Sequence, residues 1–200
     1  MNAALRPARP DDEADLYTIC AATGEAGQDA RPLLQHPELL GHLYAAAYLH
    51  LEPAGAWVVE DGQGVCGYVV TAHDTARFEQ LLEEEWWPAL RRQYPPDRTY
   101  APADAALVQR LHVRPPPDPE LSRDFPGHLH LNLLPRAQGL GLGRRLMEQA
   151  LRTLHASGAD ALHLGVDARN TRALGFYRRM GFVPWSRQPA GTLLTRRTTA

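Results

Sequence analysis

The chain has 200 residues, of which 44% are hydrophobic and 22% charged, and its formal net charge is −2. This length suits one ordinary globular domain, and the near-neutral charge argues against binding to a nucleic-acid backbone. All 21 residues in the combined lysine and arginine count are arginine. The absence of lysine excludes a Walker A phosphate loop, a pyridoxal-phosphate enzyme and a protein kinase, because each requires a lysine.

Two cysteines, Cys20 and Cys66, lie far apart in apolar stretches and are expected to be reduced core thiols. The N-terminal residues lack the apolar stretch of a signal peptide, and no window approaches the roughly 18 apolar residues of a membrane helix. We therefore expect a cytoplasmic protein that binds neither membrane nor nucleic acid.

The first third of the chain predicts two helices followed by a hairpin. After a short extended segment at residues 5–8, acidic residues follow Pro10 at a helix start, and a second helical pattern covers residues 37–51. Two β-rich runs, residues 56–60 and 65–71, flank a glycine-containing turn.

The middle of the chain predicts an insertion into the sheet, at about residues 74–127. Asp74 or Thr75 can cap a helix that Pro88 kinks or ends. The proline-rich stretch 94–127 predicts an ordered loop with one short element near residues 103–112.

The last third alternates strands and helices. We predict strands at 128–134 and 161–166, helices at 139–157 and 170–180, and two closing strands at 182–185 and 192–195. With the hairpin, this order predicts a single α/β domain over residues 1–200 with a mixed sheet.

Alternate glycines follow the predicted strand 128–134 directly, at Gly139, Gly141 and Gly143. Such glycines let the backbone approach a ligand, and main-chain N–H groups at a helix N-terminus attract an anion such as pyrophosphate. A dinucleotide fingerprint would need glycine at position 144 or 146, where Arg144 and Leu146 stand. The alternative is a tight turn that binds nothing.

Two motifs carry a family resemblance. Gln138-x-x-Gly141-x-Gly143 resembles the first signature of the GNAT superfamily of acyl-CoA N-acyltransferases. Asn170-x-x-Ala173-x-x-x-Tyr177-x-x-x-Gly181-Phe182 resembles its closing helix and turn. The resemblance implies a three-layer fold whose mixed, splayed sheet has six or seven strands and holds acetyl-CoA between two diverging parallel strands.

A narrower resemblance lies in the passages Gly67-Tyr68 to Asp74-Thr75, Phe78-Glu79, Glu85-Trp86-Trp87 and Tyr94-Pro95. They are similar to stand-alone bacterial relatives of the acetyltransferase-like C-terminal domain of O-GlcNAcase. This kinship does not define a substrate.

The GNAT resemblance implies roles for individual residues. The coenzyme pyrophosphate would accept hydrogen bonds from main-chain N–H groups, and Leu131 and Leu133 would offer main-chain groups to pantetheine. Asn170 would bind the pantetheine arm or act only as a helix cap. The residues implied for the pyrophosphate are Gln138, Gly139, Leu140, Gly141, Gly143 and Arg144.

Tyr177 is the expected general acid, because a phenol can protonate the thiolate that leaves when an amine attacks a thioester. Its alternative is a place in an apolar helical stripe. His130 is the candidate base, with a core histidine as its alternative; Asp167, Glu85 and Asp104 are further candidates.

Two other patterns predict less. His128-x-His130 has no third metal ligand at a recognisable spacing, so we expect no metal. Glu83, Glu84 and Glu85 beside Trp86 and Trp87 form either a cage for a cationic amine or a solvated acidic face.

The sequence thus predicts acetyl transfer from acetyl-CoA to a small-molecule or protein amine, in a protein that can form a homodimer. The alternative is a catalytically weak or inactive acyl-CoA-binding module. The insertion at 74–127 is expected to shape the acceptor side.

Overall fold

A computed structural model describes residues 3–114, 116, 118–188 and 191–199. Its centre is a seven-stranded sheet in the order β1-β2-β3-β4-β5-β7-β6, in which β4 and β5 are parallel and the other pairs antiparallel. This confirms the predicted mixed α/β sheet. The strands are β1 (Ala4–Pro7), β2 (Ala56–Asp61), β3 (Gly64–Ala72), β4 (Gly127–Leu133), β5 (Ala161–Asp167), β6 (Val183–Gln188) and β7 (Gly191–Arg197).

Helices cover both faces of this sheet. Of the nine described α-helices, the first six contribute side chains to the core on one face, and the last two contribute to the core on the other. They are α1 (Glu13–Ala22), α2 (Glu38–Tyr44), α3 (Ala46–Leu51), α4 (Thr75–Leu81), α5 (Trp87–Gln93), α6 (Pro102–His112), α7 (Pro119–Asp124), α8 (Leu142–Ala156) and α9 (Thr171–Arg179).

Side-chain alternation along β3 and β4 divides the interior into two cores. Tyr68 and Val70 face α1 to α6, whereas Val69 and Leu129 face α8 and α9. The α8 sequence presents an apolar stripe at helical spacing to its core: Leu142, Leu146, Met147, Ala150, Leu151 and Leu154 are buried.

The structure corrects several predicted boundaries. The pattern over residues 37–51 forms two helices, because the backbone of Ala45 (φ −139°, ψ −62°) leaves the helical region between them. Pro88 does not end a helix. It occupies the first turn of α5, where its missing N–H breaks no hydrogen bond, and α5 follows a π-helical turn (Leu82–Trp86).

The proline-rich stretch holds two helices where one was predicted. The element near residues 103–112 is α6, and α7 was missed. Its signal was present in the sequence: Asp118 caps the helix through the N–H groups of Glu120 and Leu121, and Pro119 stands at its start.

Both cysteines are free and buried, as predicted. Within the part of the chain that the structure describes, no helix combines the length and apolarity needed to cross a membrane.

Candidate active site at the fork of β4 and β5

The glycine-rich turn before α8 exposes a run of main-chain donors. Gly139 (φ 77°) and Gly141 (φ 76°) are left-handed, so the predicted helix starts only at Leu142, with Gly141 as its N-cap. The first main-chain bond back into the turn is from the Arg145 N–H to the Gly141 carbonyl, at 3.2 Å. Among the described residues, the six N–H groups of residues 139–144 have no acceptor. The Gln138 N–H, which the resemblance assigns to the pyrophosphate, donates instead to the Pro135 carbonyl at 3.2 Å and is not part of this run.

Two features of these donors suit an anion. The N-terminus of the 15-residue helix α8 carries the positive end of its dipole, and the free N–H groups point outward from it. A Cβ atom built on Gly139 or Gly141 would meet nothing within 4 Å, so the space over the turn is open. The arrangement fits a phosphate or pyrophosphate.

Neighbouring side chains hold the turn against the sheet. The side-chain amide nitrogen of Gln138, Nε2, donates to the Leu133 carbonyl at 2.8 Å, and its Oε1 accepts from Arg172 on α9. A Cβ on Gly143 would lie 3.2 Å from Leu133 and 3.5 Å from Phe176, so glycine there lets α8 approach both β4 and α9.

Leu140 and Arg144 direct their side chains away from the turn. The Leu140 side chain is exposed, and the exposed Arg144 guanidinium pairs with Glu148 at 2.7 Å. Leu140 and Arg144 can therefore bind an anion over the turn only through their main-chain N–H groups.

Strands β4 and β5 separate just beside this turn. Their register contains only the pairs Gly127↔Leu162 and His128↔His163, after which the strands diverge into a fork. The Leu134 N–H donates to Cys66 of β3, so even-numbered residues of β4 bond to β3 and odd-numbered ones face the fork. The main-chain groups of Leu131 and Leu133 thus face the fork, where an extended ligand can bond to them.

His128 is a core histidine with both ring nitrogens engaged. Thr75 Oγ1 donates to the Pro126 carbonyl (2.7 Å) and so accepts from His128 Nδ1 (2.8 Å). His128 Nε2 then accepts from the Tyr48 hydroxyl at 2.7 Å. Burial, followed by the nearby His130 and His163, holds its pKa well below the usual range, so it stays neutral.

His130 lies on the same face as His128, opposite to Leu131 and Leu133. Its ring packs edge-on against Tyr44 and Tyr48, with centroids 5.4 and 5.6 Å apart. Burial, with smaller contributions from His163 and Arg114, lowers its pKa to about 4. Its nitrogens have no hydrogen-bond partner among the described residues, yet such a low pKa makes it a weak base.

Tyr177 lies on the buried face of α9, and its ring centroid is 5.2 Å from that of Phe176 and 5.3 Å from that of Phe182. Burial raises its pKa well above the usual range, so the phenol keeps its proton at every physiological pH. The raised pKa suits Tyr177 to donating a hydrogen bond and makes it a weaker general acid than the sequence predicted.

Asn170 is the N-cap of α9: its Oδ1 accepts from the Ala173 N–H at 3.0 Å. Its amide nitrogen faces Gly27, where a Cβ would come within 2.9 Å. The segment after α1 therefore reaches the fork, and the sequence did not predict this. Thr23 in that segment also accepts a 2.5 Å bond from Asn132 of β4.

The other candidate bases have structural roles or lie elsewhere. Asp104 is fully buried and accepts from the main-chain N–H groups of Gln35 (3.1 Å) and His36 (2.9 Å). Asp167 pairs with Arg169, which lowers its pKa. Glu85 is exposed on the π-helical turn.

Of the two interpretations of the glutamates beside Trp86 and Trp87, the structure supports the solvated acidic face, because Glu83, Glu84 and Glu85 are all exposed. Trp87 is fully buried and the Arg114 guanidinium already lies over its ring, 5.0 Å from the centroid. Trp86 packs against His42 and His50. Across the described ranges, no three histidine, cysteine, aspartate or glutamate side chains cluster as metal ligands.

Comparison with known proteins identifies the family of the chain that carries this fork and turn. The sequence model of the acetyltransferase (GNAT) family matches residues 27–182. The chain belongs to the GNAT acetyltransferase family. A crystal structure of SsHAT is 40% identical over the full length of both chains, with a TM-score of 0.88.

Two curated relatives match as well. The Protein O-GlcNAcase of Rattus norvegicus is 25% identical over 181 residues, which cover 88% of this chain and 20% of the relative. This GNAT chain therefore spans about a fifth of the length of that relative. The mycothiol acetyltransferase of Acidothermus cellulolyticus is 29% identical over 154 residues, covering 72% of this chain and 40% of the relative.

Proposed function

We propose that this GNAT protein is an acetyl-CoA-dependent N-acetyltransferase that transfers acetyl to a primary amine by direct attack. The observation that carries the proposal is the run of six unengaged N–H groups, residues 139–144, beside the fork of β4 and β5. A ligand with a pyrophosphate followed by an extended, amide-bearing arm matches both features. Coenzyme A has this chemistry.

Each part of the site then has a task. The N–H groups from Gly139 to Arg144 bind the pyrophosphate. The main-chain groups of Leu131 and Leu133 bond to the pantetheine arm as an added strand would. The Gln138 side chain keeps the turn against β4.

During transfer, the C–N bond forms as the C–S bond breaks. The proton that the neutral amine loses passes to water, and the leaving thiolate takes up one proton to become the free thiol. Tyr177 donates a hydrogen bond to the departing sulfur, whose negative charge it stabilises. His130, with a pKa of about 4, accepts the amine proton poorly, so we expect the amine to react from its neutral form. The acceptor, a small-molecule or protein amine, approaches past the insertion at 74–127.

Calorimetric titration with acetyl-CoA, coenzyme A and NAD tests the proposal. Wild-type protein should bind both coenzyme A forms and not NAD. Gly141→Glu places a carboxylate among the anion donors and should abolish binding. Gly158→Glu is a matched control, because Gly158 is also left-handed (φ 86°) with open space beyond it, but lies past the other end of α8. Absence of acetyl-CoA binding to the wild type would refute the proposal.

The weak basicity of His130 favours a second candidate, a coenzyme-binding protein with little catalytic power. Turnover with a panel of amines, followed by thiol release, separates the two. Acetyl-CoA binding without turnover would favour the second candidate.

A further inference from the structure

A groove of about 570 Å³ separates α9 from the hairpin of β6 and β7. Its volume is that of a small-molecule site, for which roughly 300–1,000 Å³ is usual. We call it the α9/β6 groove. Its described lining residues include none of the anion turn at 139–144. Its two walls include Leu174, Gly175 and Arg178 on α9 and Pro184, Arg187 and Leu194 on the hairpin.

Gly175 keeps this groove wide at a cost to α9. It is the central residue of a nine-residue helix, where glycine is less favourable than alanine. Gly143 shows the usual reason for such a glycine, because a Cβ atom there would press on Leu133 at 3.2 Å. At Gly175, a Cβ atom would meet only the flexible end of Arg179 beyond its own helix, at 3.4 Å. Packing within the described chain does not require this glycine, and its effect is to leave open space in the groove.

The groove joins an apolar interior to cations at its rim. Phe182 and Leu194 are buried, and Leu174 is half-buried. Arg178 and Arg187 are exposed on opposite walls and have no carboxylate partner among the described residues. None of the described lining residues is acidic. The groove therefore suits a molecule with an apolar body and an anionic head.

We infer that the α9/β6 groove binds a small amphipathic carboxylate. The carboxylate head lies between Arg178 and Arg187, because a planar guanidinium donates two parallel hydrogen bonds to one carboxylate. The apolar chain lies along Leu174 and Leu194, and its removal from water supplies the remaining binding free energy. The glycine at position 175 is thereby explained, since a side chain there would occupy the space of the ligand. This site is separate from the proposed coenzyme site and does not depend on the proposed function.

Calorimetric titration with octanoate, below its micelle concentration, tests the inference. Wild-type protein should bind one octanoate per chain, about 10-fold more tightly than octanamide, which has the same chain and an uncharged head. Arg178→Gln and Arg187→Gln should each weaken octanoate binding by roughly 3- to 10-fold and leave octanamide binding unchanged. Arg152→Gln, on α8 and bonded to Gln149 outside the groove, should bind octanoate as the wild type does.

Gly175→Leu is the sharper variant, because it fills the groove without removing a charge. Leucine favours a helix more than glycine does, so the thermal midpoint should not fall, whereas octanoate binding should be lost. Gly175→Ala adds a single methyl group and should retain most of the binding. Octanoate binding that persists in Gly175→Leu would overturn the inference, and so would equal affinity of the wild type for octanoate and octanamide or the absence of octanoate binding.

A titration at saturating acetyl-CoA locates the ligand. Unchanged octanoate affinity supports a separate groove, whereas displacement by acetyl-CoA would place octanoate in the proposed coenzyme site and overturn the inference. A protein that binds octanoate and no acetyl-CoA would keep this inference and refute the acetyltransferase proposal.

Discussion

At the scale of single residues, burial decides what the two expected catalytic side chains can do. Sequence motifs gave Tyr177 and His130 the roles of acid and base. The structure buries Tyr177 and packs the partly buried His130 against Tyr44 and Tyr48, and this loss of water favours their neutral forms. A neutral phenol still donates a hydrogen bond, whereas an imidazole with a pKa of about 4 accepts a proton poorly.

Tyr177→Phe is expected to lower turnover by about 10- to 1000-fold while coenzyme binding stays nearly unchanged. The thermal midpoint should change little, because the Tyr177 hydroxyl makes no hydrogen bond within the described structure. Steady-state kinetics, calorimetry and a thermal melt test the three parts. Full turnover by the variant would remove Tyr177 from the mechanism.

His130 also predicts an acid-sensitive fold. Its folded pKa of about 4 lies below the unfolded value of 6.5, so the unfolded chain binds more protons between these pH values. Stability is therefore full above about pH 6.5 and falls as the pH drops towards 4, by at most about 3 kcal/mol from this group. Denaturant unfolding of His130→Gln should show a shallower loss between pH 6.5 and 4. The same substitution at the exposed His155 should leave the slope unchanged, and equal slopes in all three proteins would contradict the prediction.

At the scale of elements, the starts of α8 and α9 place the site. Gly141 begins α8 with free donors, whereas Asn170 begins α9 with a side-chain cap. The cap uses only the Asn170 Oδ1 atom. Its amide nitrogen remains for the pantetheine role that the family resemblance implies.

Substitutions at Asn170 separate capping from coenzyme binding. Asn170→Ala loses the cap and should cost about 0.5–2 kcal/mol of stability. Asn170→Asp keeps an acceptor for the Ala173 N–H and should retain most of that stability. If the amide nitrogen binds pantetheine, both variants lose affinity for coenzyme A. Wild-type affinity in Asn170→Asp would leave Asn170 as a cap alone.

At the scale of the whole molecule, one sheet serves both cores, because β3 and β4 bury alternate side chains on opposite faces. Helices α1 to α6 pack on one face of the sheet, and α8 and α9 pack on the other. Residues 1–127 contain 10 arginines and 20 acidic residues, whereas residues 128–200 contain 11 arginines and three acidic residues.

A shared sheet predicts a single cooperative domain. Leu39→Ala and Leu146→Ala remove fully buried side chains from opposite cores, and each should cost about 2–5 kcal/mol. Each should shift one common unfolding transition, because neither layer covers its core without the sheet. Denaturant unfolding followed by far-ultraviolet and tryptophan signals tests this. Two separate transitions would contradict the single domain.

The sequence by itself determined the features that depend on local spacing. Residues Gln138 to Gly143 and Asn170 to Phe182 predicted the strand, turn and helix order and the family. Composition predicted one α/β domain with reduced thiols. Local residue preferences also predicted the β2–β3 hairpin, although they did not predict α7 or the break between α2 and α3 at Ala45.

Only the tertiary structure decided the chemistry around these motifs, because burial and long-range pairing are absent from local spacing. The shifted pKa of His130, the engagement of both His128 nitrogens and the burial of Trp87 depend on contacts from distant elements. The free N–H run was expected from the glycine spacing, but its place beside the fork depends on the packing of α8 against β4. The spacing of the glycines predicted the main-chain donors, and the packing of the turn against β4 determined where a ligand can reach them.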